Sequence, residues 1–301
     1  MSMTAFLGAI ELGLCYALLA FGIYVPFRIL YITDLTGDGS FVLGAAVSAM
    51  LTVAGHPLLG VAAGTLAGAL AGCITALMQT KLGIQPILAG ILTMTGLYTI
   101  NLAVMGGKSN VPLLNQRTIF TPLEEMIGGQ YYKILLLAVL VGVMFLVLNL
   151  FFRTQTGLSI RATGDNEAMV RASSIDTDRA KLVGFALANG IIALSGAVLA
   201  QMQQSADINM GSGMIVIALA SLIIGDVFIH GRGVLTGLLA AIVGALLYRL
   251  LIALILTTSL PTSYLKLISA LVVTVAIAVP TLRRRYGVSR LMRQGGKYAE
   301  H

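Results

Sequence analysis

The chain has 301 residues, of which 57% are apolar and only 10% charged, and its mean hydropathy is +0.94. A water-soluble domain needs about a quarter of its residues charged to cover its surface, so the composition excludes one and makes lipid the solvent. The net charge of +7 does not point to nucleic acid. Lys and Arg gather in two short stretches, Arg153 to Lys181 and Arg283 to Lys297, beside apolar runs, as cytoplasmic loops do under the positive-inside rule.

A spanning helix needs about 20 mostly apolar residues. On that measure the chain predicts nine segments: 6–27, 41–55, 58–80, 86–105, 131–152, 182–201, 213–229, 234–256 and 264–281. The second and seventh are short and flanked by glycine, and read as broken or partial spans. The expected fold is an all-α, polytopic membrane helix bundle forming one transmembrane domain over 1–301, with a cytoplasmic loop at 153–181 and a basic cytoplasmic tail at 282–301. Counting back from the two basic stretches puts Lys81 inside, 106–130 outside and the N-terminus outside. No Lys or Arg precedes the first apolar run, so a cleaved signal peptide is not expected.

The first segment carries Glu11, and the eighth carries Arg249 at the same predicted depth. Ionisable residues inside a bilayer are costly, so these two are expected to pair, either to fix helix packing or to line an outer vestibule. Cys15 and Cys73 lie in apolar runs without metal-ligand spacing and read as small packed hydrophobes. Asp34-Leu35-Thr36-Gly37-Asp38-Gly39-Ser40 precedes one short segment, and Asp207-Ile208-Asn209-Met210-Gly211-Ser212-Gly213 precedes the other. The two lie on opposite predicted sides of the membrane. That arrangement suggests an inverted repeat of the kind that builds transport sites from interrupted helices; the alternative is two unrelated helix caps. Gly60, Gly64, Gly68 and Gly72 recur every four residues, so they share one face where a second backbone can approach. That helix could belong to this chain or to another copy.

Gly106-Gly107-Lys108-Ser109 resembles the end of a phosphate loop, but Leu102 stands where its first glycine is needed and no strand precedes it. No HExxH or CxxC motif and no nucleophile–base pair appears, so neither a metal nor catalysis by this chain is expected. No span carries the repeated carboxylates of a proton or sodium relay, and the energy source is expected elsewhere. In the loop 153–181, Gly164-Asp165 reads as a turn and cap, and 166–173 (Asn166, Glu167, Ala168, Met169, Val170, Arg171, Ala172, Ser173) as a short helix. Met169, Val170 and Ala172 would give it an apolar face for docking into a partner groove or for lying on lipid headgroups.

The run Ala162, Gly164, Asn166, Ala168 and Ala172-Ser173-Ser174-Ile175-Asp176 resembles the coupling loop of ABC-importer permeases of the branched-chain amino acid and ribose class. Asp34–Ala46 and Asn209–Gly225 are similar to the tryptophan/tyrosine-type branch of that class. The pattern departs at Ser174, where many relatives carry glycine. The resemblance runs from about Gly8 to Leu282. It implies a bundle that pairs with a second permease copy as a homodimer in the bacterial inner membrane, driven by a cytoplasmic ATPase dimer. A periplasmic or lipid-anchored binding protein would deliver the solute, most readily an amino acid. No cofactor is expected on this chain, and Mg-ATP would sit on the partner subunit. Residues 164–173 would couple to the ATPase, and the pathway between copies would be lined in part by Asn101, Asn189, Gln201 and Asn209. Two other readings stay open: a stand-alone secondary transporter or channel, and a membrane scaffold that transports nothing.

Overall fold

The computed structural model describes residues 3–129, 131–229, 231, 233–256, 271 and 274. The basic tail and all but two residues of the expected segment 264–281 lie outside the described residues. The other eight expected segments each fall on a helix: α1 (Met3–Tyr24), α2 (Gly37–Val53), α3 (Pro57–Thr80), α4 (Pro86–Val104), α6 (Tyr132–Phe151), α9 (Thr177–Gln203), α10 (Met214–Phe228) and α11 (Val234–Leu256). Six are long and apolar enough to cross a membrane, whereas α2 and α10 are shorter. Between them lie α5 (Thr121–Ile127), α7 (Gln155–Asp165), α8 (Glu167–Ala172), and a two-stranded antiparallel ribbon of β1 (Asn110–Pro112) and β2 (Ser205–Asp207).

Local chemistry sets the helix starts. Pro57 and Pro86 open α3 and α4, where the missing N–H costs nothing. Side chains of Thr154, Asn166 and Asp176 accept the backbone N–H of Gly157, Met169 and Arg179, capping α7, α8 and α9. The loop 153–181 therefore holds two helices and the start of a third. Asn166 caps α8, whereas Gly164 and Asp165 end α7 instead of forming the expected turn and cap.

The bundle is built around α1 and α9. Most of α9 is buried and most of α6 is not, so α9 is an axis and α6 is peripheral. Lipid is as apolar as these side chains, so burial alone gives little drive. Close packing and interhelical hydrogen bonds hold such helices together. The glycine row on α3 does this within one chain. Gly60 and Gly64 abut the Ser48 and Gly44 carbonyls of α2, while Gly68 and Gly72 abut Ala193, Asn189 and Phe185 of α9. On the other side, Gly13 of α1 meets Leu246 of α11, and Gly225 and Gly244 bring α10 and α11 backbone to backbone.

Two ends of the bundle can be told apart. At one, Lys81 pairs with Asp178, and Arg28 with Asp226. At the other, β1 pairs with β2 and Gln201 bonds the Pro57 carbonyl. The helices α2 and α10 start in the interior and run to opposite ends, so α2–α3 and α10–α11 are antiparallel hairpins of opposite sense.

Candidate functional site

The interior starts of α2 and α10 meet. Asp38, in the first turn of α2, accepts the N–H of Gly213 at 3.0 Å and of Ile215 at 2.9 Å. One carboxylate thus caps a helix whose N-cap, Gly213, lies 175 residues later in the chain, satisfying N–H groups that have no partner inside their own helix. Gly211 lets the backbones touch, since a Cβ there would overlap the Asp38 carbonyl. Gly213 itself has φ +84°, a left-handed turn that turns the chain into α10. Asp34 and Asp207 cap locally instead, accepting Thr36 and Asn209 N–H.

A cavity of about 340 Å³ lies at this junction, lined by Asp38, Gly39, Asn101, Asn209 and Ser212, with Thr95 and Tyr98 of α4 exposed at its lip. Two of the four expected pathway amides are therefore here. Asn101 donates to the Gly39 carbonyl at 3.1 Å, and its buried Oδ1 has no partner among the described residues. An unpaired buried amide oxygen costs about 1–3 kcal/mol. The other two amides do not line this cavity. Asn189 donates to Asp34 and the Phe185 carbonyl and accepts from Ser40. Gln201 donates to Ser48 and Pro57 and accepts from the Ile119 N–H. Their polar atoms are used up in tying α2, α3 and α9 together.

The expected Glu11–Arg249 pair does not form. The Arg249 guanidinium stands over the Tyr16 ring, 5.3 Å from its centroid. Gly13 is the α1 residue that faces Arg249. Tyr16, three residues on, shares its face, whereas Glu11, two residues back, lies far round the helix.

The loop helices form the second polar assembly. Glu167 accepts both 2.8 Å hydrogen bonds from Lys181 and one at 2.8 Å from Arg171. The Lys181 hydrogen bonds hold its carboxyl below the ordinary glutamate value of 4.5, against the opposing effect of partial burial. Arg171 and Lys81 both reach Asp178, so α8 is tied to the start of α9 and the end of α3. The apolar face is smaller than expected: Val170 turns inward and is buried, leaving Ala168, Met169 and Ala172 exposed. Ser174 takes the left-handed conformation, φ 62°, that favours glycine. Gly164 is a contact residue, set against the Ile29 carbonyl and Leu30 with no room for a side chain.

The fold and its polar assemblies define a polytopic helical membrane protein with two short helices that start in the interior and a capped loop helix. The sequence pattern of the family described as "Branched-chain amino acid transport system / permease component" matches residues 6–278, and the chain belongs to that family. It is 34% identical over 74% of its length to a tyrosine transport system permease protein of Clostridioides difficile, covering 73% of that protein. It is 32% identical to the uncharacterized protein RP368 of Rickettsia prowazekii, over 76% of this chain and 79% of the other. With the ribose import permease protein RbsC of Bacillus subtilis the identity is 30%, over 77% and 69%. No solved structure gives a significant match. The chain is thus a multi-pass permease for a small solute. It does not hydrolyse ATP: the ATPase of such systems is a separate subunit, and the family works with that ATPase and a solute-binding protein.

Proposed function

We propose that two copies of this chain form a homodimeric importer for an amino acid in the bacterial inner membrane. The observation that carries this reading is the cavity at the α2–α10 junction. Thr95 and Tyr98 stand exposed at its lip on α4 beside the apolar Ile91, Leu92 and Ile100, a face that a second copy would cover. Nine spans, with the N-terminus outside and the C-terminus inside, fit the arrangement. Under the positive-inside rule the end bearing Arg153, Arg161 and Arg179 is cytoplasmic, and α2 and α10 are then the interrupted members of an inverted repeat. An amino acid is favoured by the tyrosine system's permease among the relatives. The cavity's chemistry agrees: Asp38 and the free Asn101 oxygen suit an ammonium group, and Tyr98 offers an aromatic wall.

The exposed α8 face would dock into a cleft of the ATPase dimer, on which Mg-ATP is bound and hydrolysed. A periplasmic or lipid-anchored binding protein would meet the opposite end. The test is uptake by proteoliposomes holding this chain, its ATPase and its binding protein, with radiolabelled L-tyrosine and D-ribose as probes. ATP-dependent accumulation of tyrosine supports the reading. Accumulation of ribose alone moves the chain to the sugar branch, and ATP-independent uptake removes it from this class.

A further inference from the structure

We propose that Arg28 and Asp226 form the inner latch of the solute path, and that α7 controls it through the contact of Gly164 with the Ile29 carbonyl. This rests on the orientation given above. Arg28 lies in a single π-helical turn, Val25–Ile29, that continues α1. Asp226 lies in the last turn of α10. The two side chains are in direct contact and join the first half of the chain to the second. Both are partly exposed, at 43% and 33%, in the wall of a polar cavity of about 390 Å³ that also holds Tyr24, Tyr31 and Arg161. This cavity sits at the basic end of the bundle, and the Asp38 cavity begins at the other end of α10. The helix is therefore held at both ends by a carboxylate: its own Asp226 on Arg28, and Asp38 on its N-terminus. Spanning 15 residues, it is a strut about 22 Å long between the two cavities.

The Arg28 end of the contact is the π turn itself, Val25–Ile29. Such turns are rare and are found frequently at functional sites. Here Leu30 N–H reaches the Val25 carbonyl and Ile32 N–H the Pro26 carbonyl. The turn is clamped from two sides. Gly164 of α7 lies on the Ile29 carbonyl and Leu30, and Gly184 of α9 lies on the Leu30 side chain. Because α7 runs straight into α8 through Asn166, a tilt imposed on α8 bears on Ile29 one residue from Arg28. A pair this exposed shifts an open–closed equilibrium by about fivefold at most. That is weak enough for a coupled motion to break and remake in each cycle.

The experiment places a reporter cysteine at Ser212 in a Cys15→Ser, Cys73→Ser background. The assembled complex in inside-out vesicles is treated with a membrane-impermeant thiol reagent. Asp226→Asn is expected to speed labelling about three- to fivefold, and Gly164→Val to do the same by wedging α7 off Ile29. The exchanged pair, Arg28→Asp with Asp226→Arg, returns labelling to the parent rate. An unchanged rate in an assembled Asp226→Asn complex, or no rescue by the exchange, overturns the latch. Should Asp226→Asn fail to accumulate, the exchanged pair decides alone: parent-like labelling supports the latch and faster labelling overturns it. Labelling needs no solute, so a wrong solute assignment leaves the result readable, while loss of ATP-dependent uptake in the parent strikes the permease reading instead.

Discussion

Asn101 and Asn189 are the same side chain put to different uses, and substitution should separate them. Asn101 has one atom spare beside a cavity, so Asn101→Ala is expected to lower solute uptake about tenfold or more while the complex assembles normally. Asn189 spends every polar atom on Asp34, Ser40 and Phe185. Asn189→Leu leaves the Asp34 carboxylate without that partner and is expected to cost about 2–4 kcal/mol, read as loss of folded protein in detergent chromatography. The opposite pattern would reverse the two roles. Sequence could show that both were amides near helix breaks. It could not show which one would find three partners, because two of them, Ser40 and Asp34, lie 149 and 155 residues away. The Arg28–Asp226 contact went unread for the same reason: each residue stands at the edge of an apolar run, where a lone charge ordinarily marks only the end of a span. Glu11 failed differently, since depth along a helix was legible but the face presented to α11 was not.

At the scale of elements, the four-residue glycine spacing was legible as a packing face, and the structure assigns it to α2 and α9 of the same chain. A Cβ on Gly68 would lie 2.6 Å from the Asn189 carbonyl and overlap Ala193. Gly68→Val is therefore expected to destabilise by about 1–3 kcal/mol or more, whereas Gly142→Ala on peripheral α6, with nothing within 4 Å, is neutral. Thermal unfolding of the purified proteins distinguishes them; equal melting would mean that α3 and α9 do not pack this closely. The loop helix α8 was legible in position and length, but its cap is Asn166 and not Gly164-Asp165, and α7 went unread because no apolar run announces it. Glu167 is held below its ordinary value, so its contribution is fully present above pH 4.5 and is lost as pH falls through the lowered value. Wild type should melt above Glu167→Gln at neutral pH, by an amount worth about 1 kcal/mol after solvent screening. The gap should close as pH drops below 4.5; a gap that widened on acidification would contradict the assignment.

Over the whole molecule, three polar contacts join elements distant in the sequence, beside the Asn189 and Gln201 networks of the interior. The loop helix α8 is tied to α9 and α3 by Glu167, Arg171 and Asp178. The Arg28–Asp226 contact joins α1 to α10. The Asp38 carboxylate joins the two interior helix starts. Elsewhere close helix packing through glycine and the buried hydrogen bonds of Asn189 and Gln201 hold the bundle together. Hydropathy alone gave the all-helical class and eight of the segments. The meeting of α2 and α10 needed the fold, because nothing in a Gly/Asp/Ser cluster says which distant cluster it will cap. The account stands or falls on coupling. Its most direct test is solute uptake by proteoliposomes containing this chain with its ATPase and binding protein, comparing wild type with Met169→Asp, which puts a charge on the exposed face of α8. The account predicts ATP-dependent accumulation by wild type, and loss of both accumulation and ATPase co-purification in the variant. Accumulation that survives ATP depletion, or a variant that transports as well as wild type, would contradict it.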